Sequence, residues 1–175
     1  MTLTFRTAVL DDTENIVTMV NSAYRGDSSK EGWTTKADLL GGQRTDSEKI
    51  TEMISDPQSQ IELALNDGQI VGCIYLKKED QFVYFGLLTV RPSLQTNGYG
   101  KKLLMHLEEL AFIWGMKKIK MTVISIRHEL IEFYQRRGYR WTGEIEAFPS
   151  NDPRFGLPKT DLVFHVFEKM VSEKQ

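Results

Sequence analysis

The chain has 175 residues, of which 41% are hydrophobic and 26% are charged, and its formal net charge is -2. These proportions are typical of a soluble globular protein, and the length suits one domain better than two. No apolar run approaches the ~18 residues of a membrane span, and the N-terminus lacks the features of a signal peptide. The single cysteine, Cys73, cannot form an internal disulfide, and the three histidines are too scattered for zinc ligation. We therefore expect one cytoplasmic, metal-free domain over residues 1–175.

Charge is distributed unevenly along the chain. The segment 1–70 holds 6 basic and 12 acidic side chains, whereas the segment 91–140 holds 10 basic and 4 acidic ones. A local basic excess is typical of a site for a phosphorylated ligand, although ordinary solvated surfaces also carry such an excess. Nucleic acid is a poor candidate partner, since the chain as a whole is slightly acidic and contains no nucleic-acid-binding motif.

The first half of the chain alternates between helical and strand patterns. In chain order these patterns predict a strand over 3–9, a helix from Asp11 or Asp12 through Tyr24, a long loop over 25–45, a helix capped by Asp46 or Ser47, and strands over 60–66 and 69–78. Asp67-Gly68 separates the last two strands, and Asp-Gly between alternating apolar runs is the strongest short-range signal for a hairpin. Long loops in compact domains are commonly functional, which draws attention to the loop over 25–45.

The second half contains the clearest helix. The patterns predict a strand over 82–90, a helix over 98–114, a strand over 118–124, a helix over 128–137, and strands over 139–148 and 161–170. Gly115 and Gly138 end the two helices. The order is therefore β-α-α-β-β-β-α-β-α-β-β, a mixed α/β arrangement in which an antiparallel meander precedes a crossover helix.

A glycine-rich turn follows the strand over 82–90, with the sequence Gln95-Thr96-Asn97-Gly98-Tyr99-Gly100. Such a turn at a helix start suits phosphate, because the first amide N–H groups of a helix lack internal partners and the helix dipole favours anions. Lys101 and Lys102 add positive charge. The spacing fits neither a Walker A loop nor the dinucleotide fingerprint, whose third glycine is replaced by Leu103. The pattern that remains, Q-x-x-G-x-G, indicates a phosphate site. The alternative is a glycine-rich turn that starts the helix and binds no ligand.

A second motif, FYQRRGY over 133–139, precedes a predicted strand. Together the two motifs resemble those of the GNAT family, the Gcn5-related acyl-CoA N-acetyltransferases. Q-x-x-G-x-G is similar to the pyrophosphate loop of that family, and FYQRRGY is similar to its signature F/L-Y-x-[KR]-x-G-[FY]. The order of elements resembles the family over almost the whole chain. The segments GWTTKADLLGGQRTD and RRGYRWTGEIEAFP resemble those of small single-domain bacterial GNAT proteins.

The resemblance implies an α/β fold with a mixed, mostly antiparallel central sheet of about seven strands, flanked by about four helices. In that fold the fourth and fifth strands, here Phe82–Val90 and Lys118–Ile124, splay apart and hold the pantetheine arm of acetyl-CoA as cosubstrate; no metal is implied. The implied cofactor-binding positions are Leu88, Thr89, Val90, Gln95, Thr96, Asn97, Gly98, Tyr99, Gly100, Lys101, Arg127 and Arg137, with Lys102 and Arg136 as further candidates for phosphate contacts.

Tyr134 aligns with the tyrosine that members of the family use as a general acid. Its unperturbed pKa of about 10, against roughly 8.5 for a thiol, keeps the phenol protonated at neutral pH, where it can hydrogen-bond a departing sulfur. The alternative is that Tyr134 simply packs in the core beside Leu130. A backbone N–H near Leu88 is the implied oxyanion donor.

Two departures from the family pattern leave roles open. Arg127 stands where the family often has asparagine, and it can meet a phosphate, a substrate carboxylate or only solvent. The fourth strand lacks the acidic base that many members place there. Deprotonation of the amine then proceeds through water or through one of four other side chains, which are Glu31, Asp38, Glu146 and His165.

The family binds the acceptor with the loop after the first helix and with the last two strands. The corresponding candidates in this sequence are Trp33, Arg44, Glu146, Phe148 and His165. We expect an N-acetyltransferase that moves the acetyl group of acetyl-CoA to a primary amine of a small molecule. We expect no nucleic-acid or membrane partner. Homodimers are common in such families, so a homodimer is one candidate assembly. The alternatives are a protein or peptide N-acetyltransferase and a non-catalytic CoA-binding sensor. The acceptor itself stays open.

Overall fold

The computed structural model describes residues 3–24, 40–41, 45–92, 94, 98–147, 157–158 and 163–172. The helices among them are α1 (Thr13–Tyr24), α2 (Ser47–Ser55), α3 (Tyr99–Ile113) and α4 (His128–Gln135). The strands of the main sheet are β1 (Leu3–Thr7), β2 (Ser59–Asn66), β3 (Gln69–Lys78), β4 (Phe82–Val90), β5 (Lys118–Ile124), β6 (Arg140–Ala147) and β7 (Val163–Met170). A short 3-10 turn at Leu10–Asp12 leads into α1, and Leu40–Gly41 pairs with Leu157–Pro158.

The seven strands form one mixed sheet in the order β1-β2-β3-β4-β5-β7-β6. Every neighbouring pair is antiparallel except β4 and β5, which are parallel and are connected through α3. This arrangement confirms the predicted α/β fold class and the predicted order of elements. None of the helices in the described part of the chain is long and apolar enough to cross a bilayer.

Two hydrophobic cores lie on opposite faces of the sheet. One core joins α3 and α4 to the sheet through side chains such as Leu103, Phe133 and Phe85, and we call this side the α3 face. The other joins α1 and α2 to β2, β3 and β4 through side chains such as Ile16 and Leu63, and we call it the α1 face. Among the described residues, the core on the α1 face takes no side chain from β5, β6 or β7.

The predicted turns and caps form by the expected local rules. Asp67 and Gly68 both have positive φ, 53° and 81°, as a tight hairpin turn of primed type requires. The Asp46 carboxylate accepts a hydrogen bond of 2.8 Å from the N–H of Lys49 and so caps α2. Gly138 follows α4 with a φ of 94°, although α4 ends at Gln135, two residues before the predicted end.

A buried carboxylate ties β1, β2 and α3 together. Glu62 is only 4% exposed and accepts hydrogen bonds from His106 Nε2 at 2.7 Å, from Gln60 Nε2 at 2.8 Å and from the Thr7 hydroxyl. Phe5 stacks on the His106 ring at 4.3 Å. Burial raises the pKa of the Glu62 carboxyl, but the hydrogen bonds from His106, Thr7 and Gln60 outweigh it, so that the pKa lies below the ordinary 4.5.

The lowered pKa of Glu62 predicts a stability that depends on pH. Because the folded-state pKa lies below the unfolded one, the ionised carboxylate stabilises the fold above pH 4.5, and this contribution is lost as the pH falls through the lowered value. We expect Glu62→Gln to lose about 1–3 kcal/mol of unfolding free energy at neutral pH, with a loss that shrinks in acid. Urea titrations between pH 7 and pH 3 measure it, with exposed Glu109→Gln as control; a pH-independent loss contradicts the assignment.

Candidate active site

β4 carries a bulge where the candidate site begins. Tyr75 of β3 pairs with Gly86, and Cys73 pairs with Thr89, so two residues of β4, Leu87 and Leu88, stand opposite one residue of β3. Leu87 has a φ of 56°, which is uncommon for a leucine and marks the extra residue. The carbonyl of Leu87 accepts a hydrogen bond of 2.9 Å from the Thr89 hydroxyl.

The bulge reverses which side chains point to which face. Phe85 lies in the core of the α3 face, Leu87 lies in the core of the α1 face, and Leu88 packs toward the α3 face again. Bulges bend a strand and increase its twist, and they occur often beside active sites. The backbone of Leu88, a predicted cofactor contact, therefore follows directly on an irregularity in the ladder.

β4 and β5 separate after a short paired segment. Their parallel register consists of Phe82 with Lys118, Val83 with Ile119, and Tyr84 with Lys120. Beyond Tyr84, β4 pairs with β3 as far as Val90, while β5 pairs with β7 as far as Ile124. The sheet thus opens into a V between the second halves of β4 and β5, as the family resemblance implies.

On the β4 side of this V, the backbones of β3 and β4 approach each other closely at Gly72 and Thr89. A Cβ atom on Gly72 would lie 2.7 Å from the carbonyl oxygen of Thr89 and 3.0 Å from Leu103 Cδ1. We expect Gly72→Ala to destabilise the fold by about 1–3 kcal/mol, since a backbone oxygen cannot move away cheaply. Gly86→Ala, whose Cβ would meet only the Tyr84 ring at 3.5 Å, is the matched control in thermal unfolding. Equal effects of the two substitutions would contradict the close approach.

The glycine-rich turn stands at the start of α3. Gly98 is the N-cap with a φ of 77°, and among the described residues no atom other than those of its chain neighbours lies within 4 Å of the position of a Cβ there. A Cβ on Gly100 would make ordinary contacts of 3.8 Å with Phe133 and 3.9 Å with Val90. The helix start therefore lies next to the end of β4 and next to α4. Lys101 and Lys102 are exposed beside it.

Some of the predicted cofactor contacts have buried side chains. Tyr99 is 5% exposed, with the Asn66 amide donating to its hydroxyl at 3.5 Å, while Thr89 and Val90 are 2% and 7% exposed. These three residues can meet a ligand through their backbone groups, as the resemblance implies, but not through their side chains. The remaining turn residues of the prediction lie outside the described residues; they are Gln95, Thr96 and Asn97.

Tyr134 lies in α4 on the side that faces the V. Its ring packs against Phe85 of β4 at 6.0 Å, against Phe133 at 5.2 Å and against Tyr139 at 6.0 Å, and the residue is 7% exposed. Phe85 is the first residue of β4 beyond the segment paired with β5. Tyr134 therefore packs in the core, and it does so at the position where β4 and β5 begin to separate. This position is compatible both with a core residue and with the general acid that the resemblance implies.

The second tyrosine of the motif belongs to a buried network and not to the cleft. Tyr139 is fully buried and donates a hydrogen bond of 3.1 Å to Glu108, which also accepts one of 3.1 Å from Lys169. Burial, and then the charge of Glu108, raise the pKa of Tyr139 well above 10. This network joins α3 to β7 and fixes the C-terminal end of α4.

The two arginines predicted to contact the cofactor have different environments. Arg127 precedes α4, is 5% exposed and donates from Nε to Glu129 Oε1 at 2.8 Å, so it does not simply face solvent. Arg137 lies over the Phe133 ring at 3.9 Å and donates to the Phe133 carbonyl at 2.9 Å. Burial and the charge of Arg136 lower its pKa, but a guanidinium remains cationic at neutral pH. Since Phe133 also borders Gly100, Arg137 lies beside the start of α3.

The sheet places two predicted acceptor residues on opposite faces. His165 pairs with Val123, which belongs to the core of the α3 face, and its ring stacks on Trp141 at 4.3 Å. Glu146 pairs with Phe164, the neighbour of His165, and so points to the α1 face. Glu146 and His165 therefore cannot line one pocket. Other predicted candidates lie outside the described residues, namely Glu31, Trp33, Asp38, Arg44 and Phe148.

A cavity of about 190 Å³ opens on the α1 face at the foot of the V. It is lined by Glu79, Phe82, Tyr84, Lys120, Met121, Thr122, Glu144, Glu146 and Val166. Of these residues, sequence reasoning singled out only Glu146. The alternation of side chains along β4 and β5 could have indicated the residues on this face, because those between the apolar core positions of both strands must point to the opposite face.

Comparison with known proteins identifies the class. The sequence matches the model of the acetyltransferase (GNAT) family over residues 17–139, and the chain belongs to this family. No curated protein sequence matches the chain.

Solved structures of the same fold extend over nearly the whole chain. The ribosomal-protein-S18-alanine N-acetyltransferase from Escherichia coli superposes with a TM-score of 0.73 at 12% identity, covering 99% of this chain and 97% of that one. A GNAT-family acetyltransferase from Staphylococcus aureus Mu50 gives a TM-score of 0.66 at 19% identity, covering 98% and 100%. PaiA N-acetyltransferase from Thermoplasma acidophilum, solved in complex with coenzyme A, gives 0.68 at 17% identity, covering 97% and 99%. These likenesses establish the fold.

Proposed function

We propose that this GNAT protein transfers the acetyl group of acetyl-CoA to a primary amine of a small molecule by direct attack, with Tyr134 as general acid. The observation that carries the proposal is that four features border one cleft. They are the bulge of β4, the separation of β4 from β5, the glycine-capped start of α3 and the ring of Tyr134.

The residues around the cleft suit acetyl-CoA. The backbone of Leu88 and Val90 lies on the separated part of β4, where an extended pantetheine arm can pair as a strand would. The amide groups of the first turn of α3, which begins after the N-cap Gly98, suit the pyrophosphate. Arg137, Lys101 and Lys102 supply positive charge beside that turn. The phosphates of acetyl-CoA would then account for the excess of basic side chains over residues 91–140.

The chemistry needs few protein groups. Acetyl-CoA, when bound, supplies an acetyl group activated as a thioester. Tyr134 donates its phenolic proton to the departing sulfur while the carbon–sulfur bond breaks and the carbon–nitrogen bond forms. A backbone N–H near Leu88 stabilises the negative charge that develops on the carbonyl oxygen. The amine loses its proton to water.

Arg137 provides a test of the phosphate side of the cleft. We expect Arg137→Ala to weaken CoA binding by about tenfold to a hundredfold, because a charge-assisted hydrogen bond to a phosphate contributes about 1.5–3 kcal/mol. Lys117→Ala removes an exposed positive charge beyond the opposite end of α3 and is the control in calorimetric titration. If Arg137→Ala binds CoA as tightly as the wild type and the Lys117 control do, Arg137 has no phosphate contact.

We also propose that residues 1–175 form a single N-acetyltransferase domain. The structural neighbours support this, because the solved acetyltransferases cover 97–99% of this chain while being 97–100% covered themselves.

The test of the function is release of the CoA thiol from acetyl-CoA against a panel of amines. The panel contains polyamines, amino acids, aminoglycosides and short peptides. We expect release with one class of small amines. Release with peptides alone would replace the proposal by peptide acetylation, and tight acetyl-CoA binding without release from any member would favour a CoA-binding sensor.

A further inference from the structure

The cavity on the α1 face lies where an acceptor must approach the cleft. Tyr84 points into it, and the next residue, Phe85, contacts Tyr134 from the other face of the sheet. Thr122 lines the cavity from β5, two residues beyond the last residue that pairs with β4. The cavity therefore continues from the opening of the V and ends at β6, the edge strand of the sheet.

The walls of the cavity combine aromatic surface with negative charge. Among the described residues that line the cavity are three glutamates, Glu79, Glu144 and Glu146, and one lysine, Lys120. Lys120 Nζ lies over the Phe82 ring at 4.7 Å, and the neighbouring Lys118 is paired with Glu168 at 3.5 Å. The charge that remains is negative and is concentrated on β6.

The size of the cavity limits the ligand. A protein cavity of about 150 Å³ holds a benzene molecule, so 190 Å³ suits a ligand of roughly six to eight non-hydrogen atoms. A cation of this size gains from the carboxylates of Glu144 and Glu146 and from the face of the Tyr84 ring. A carboxylate-bearing ligand of the same size meets repulsion instead.

On the basis of the proposed function, we infer that the acceptor is a short alkyl diamine. One amine reaches the acetyl group in the V, and the second remains protonated between Glu144, Glu146 and the ring of Tyr84. Thr142 donates a hydrogen bond of 3.3 Å to Glu144 and orients that carboxylate. The diamine carries its second charge at the far end of the chain, where the acidic wall of β6 lies.

The experiment compares two acceptors that differ only in the second charge, 1,4-diaminobutane and 1-aminobutane. We expect kcat/KM for the diamine to exceed that for the monoamine by about tenfold to a hundredfold. In the double variant Glu144→Gln/Glu146→Gln this ratio falls toward one. Both glutamates are exposed, so that the fold tolerates the change. Glu109→Gln removes an exposed carboxylate of α3, outside the cavity, and retains the wild-type ratio.

Calorimetry of both amines with the CoA-bound protein separates this inference from the proposed function. If no amine is acetylated, the proposed function fails, and binding then decides the cavity's role. Tighter binding of 1,4-diaminobutane that is lost in the double variant supports the cation site. Equal affinity or equal kcat/KM for the two amines overturns it, as does a preference for the diamine that survives in the double variant.

Discussion

Replacing Tyr134 with phenylalanine is expected to lower kcat by about 10²-fold or more, which is the usual range for loss of a general acid. The substitution keeps the ring that packs against Phe85, Phe133 and Tyr139, so the fold and the affinity for acetyl-CoA should change little. The loss should appear in kcat rather than in KM, because the proton is needed only while the sulfur departs. Steady-state thiol release with the best acceptor measures it.

Tyr75→Phe is the matched control for this experiment. Tyr75 lies on β3, beside the core of the α1 face, and the substitution removes a hydroxyl that is hydrogen-bonded to Ser59 at the start of β2. We expect its kcat to stay at the wild-type value. An unchanged kcat in Tyr134→Phe would remove Tyr134 from the role of acid and would leave it as a core residue.

The second large effect is expected at Gly98, where aspartate should weaken CoA binding by at least about tenfold. A carboxylate at the N-cap of α3 would place negative charge beside the pyrophosphate, and two unit charges about 4 Å apart repel by about 4 kcal/mol near a protein surface before screening by salt. At the φ of 77° aspartate costs some backbone strain, but aspartate and asparagine adopt positive φ more readily than other residues, so the variant should remain folded. Isothermal titration of CoA measures the effect.

Gly98→Asn separates charge from shape in this test. Asparagine has nearly the same size as aspartate and tolerates positive φ about equally well, but it is neutral. We expect the asparagine variant to bind CoA more tightly than the aspartate variant and to show a weaker dependence on salt. Equal affinities for the two variants would show that charge at Gly98 does not matter, against a phosphate at this turn.

Features set by neighbours in the sequence could be predicted. Asp67-Gly68 specifies its hairpin, Asp46 caps α2, and Gly138 terminates α4, because turn and cap preferences depend on a few adjacent residues. The spacing of Gly98 and Gly100 likewise places a glycine turn at the start of α3. These local rules were sufficient for the element order and for the position of the turn.

Features that depend on strand register could not be predicted. The two leucines at 87 and 88 continue an apolar run, and nothing in that run indicates that one of them is an extra residue. The separation of Glu146 from His165 onto opposite faces follows from pairing with β7, which the sequence does not specify. The burial of Tyr139 with Glu108 and Lys169 joins residues that are 31 and 61 positions from Glu108.

The most direct test of acetyl transfer is to quantify both products of one reaction. With acetyl-CoA and the best acceptor from the panel, free CoA thiol is measured by colour reaction and N-acetylated amine by mass spectrometry. We expect equal amounts of the two products in the wild type and a parallel loss of both in Tyr134→Phe. Thiol without acetylated amine, or neither product despite bound acetyl-CoA, would contradict acetyl transfer to an amine.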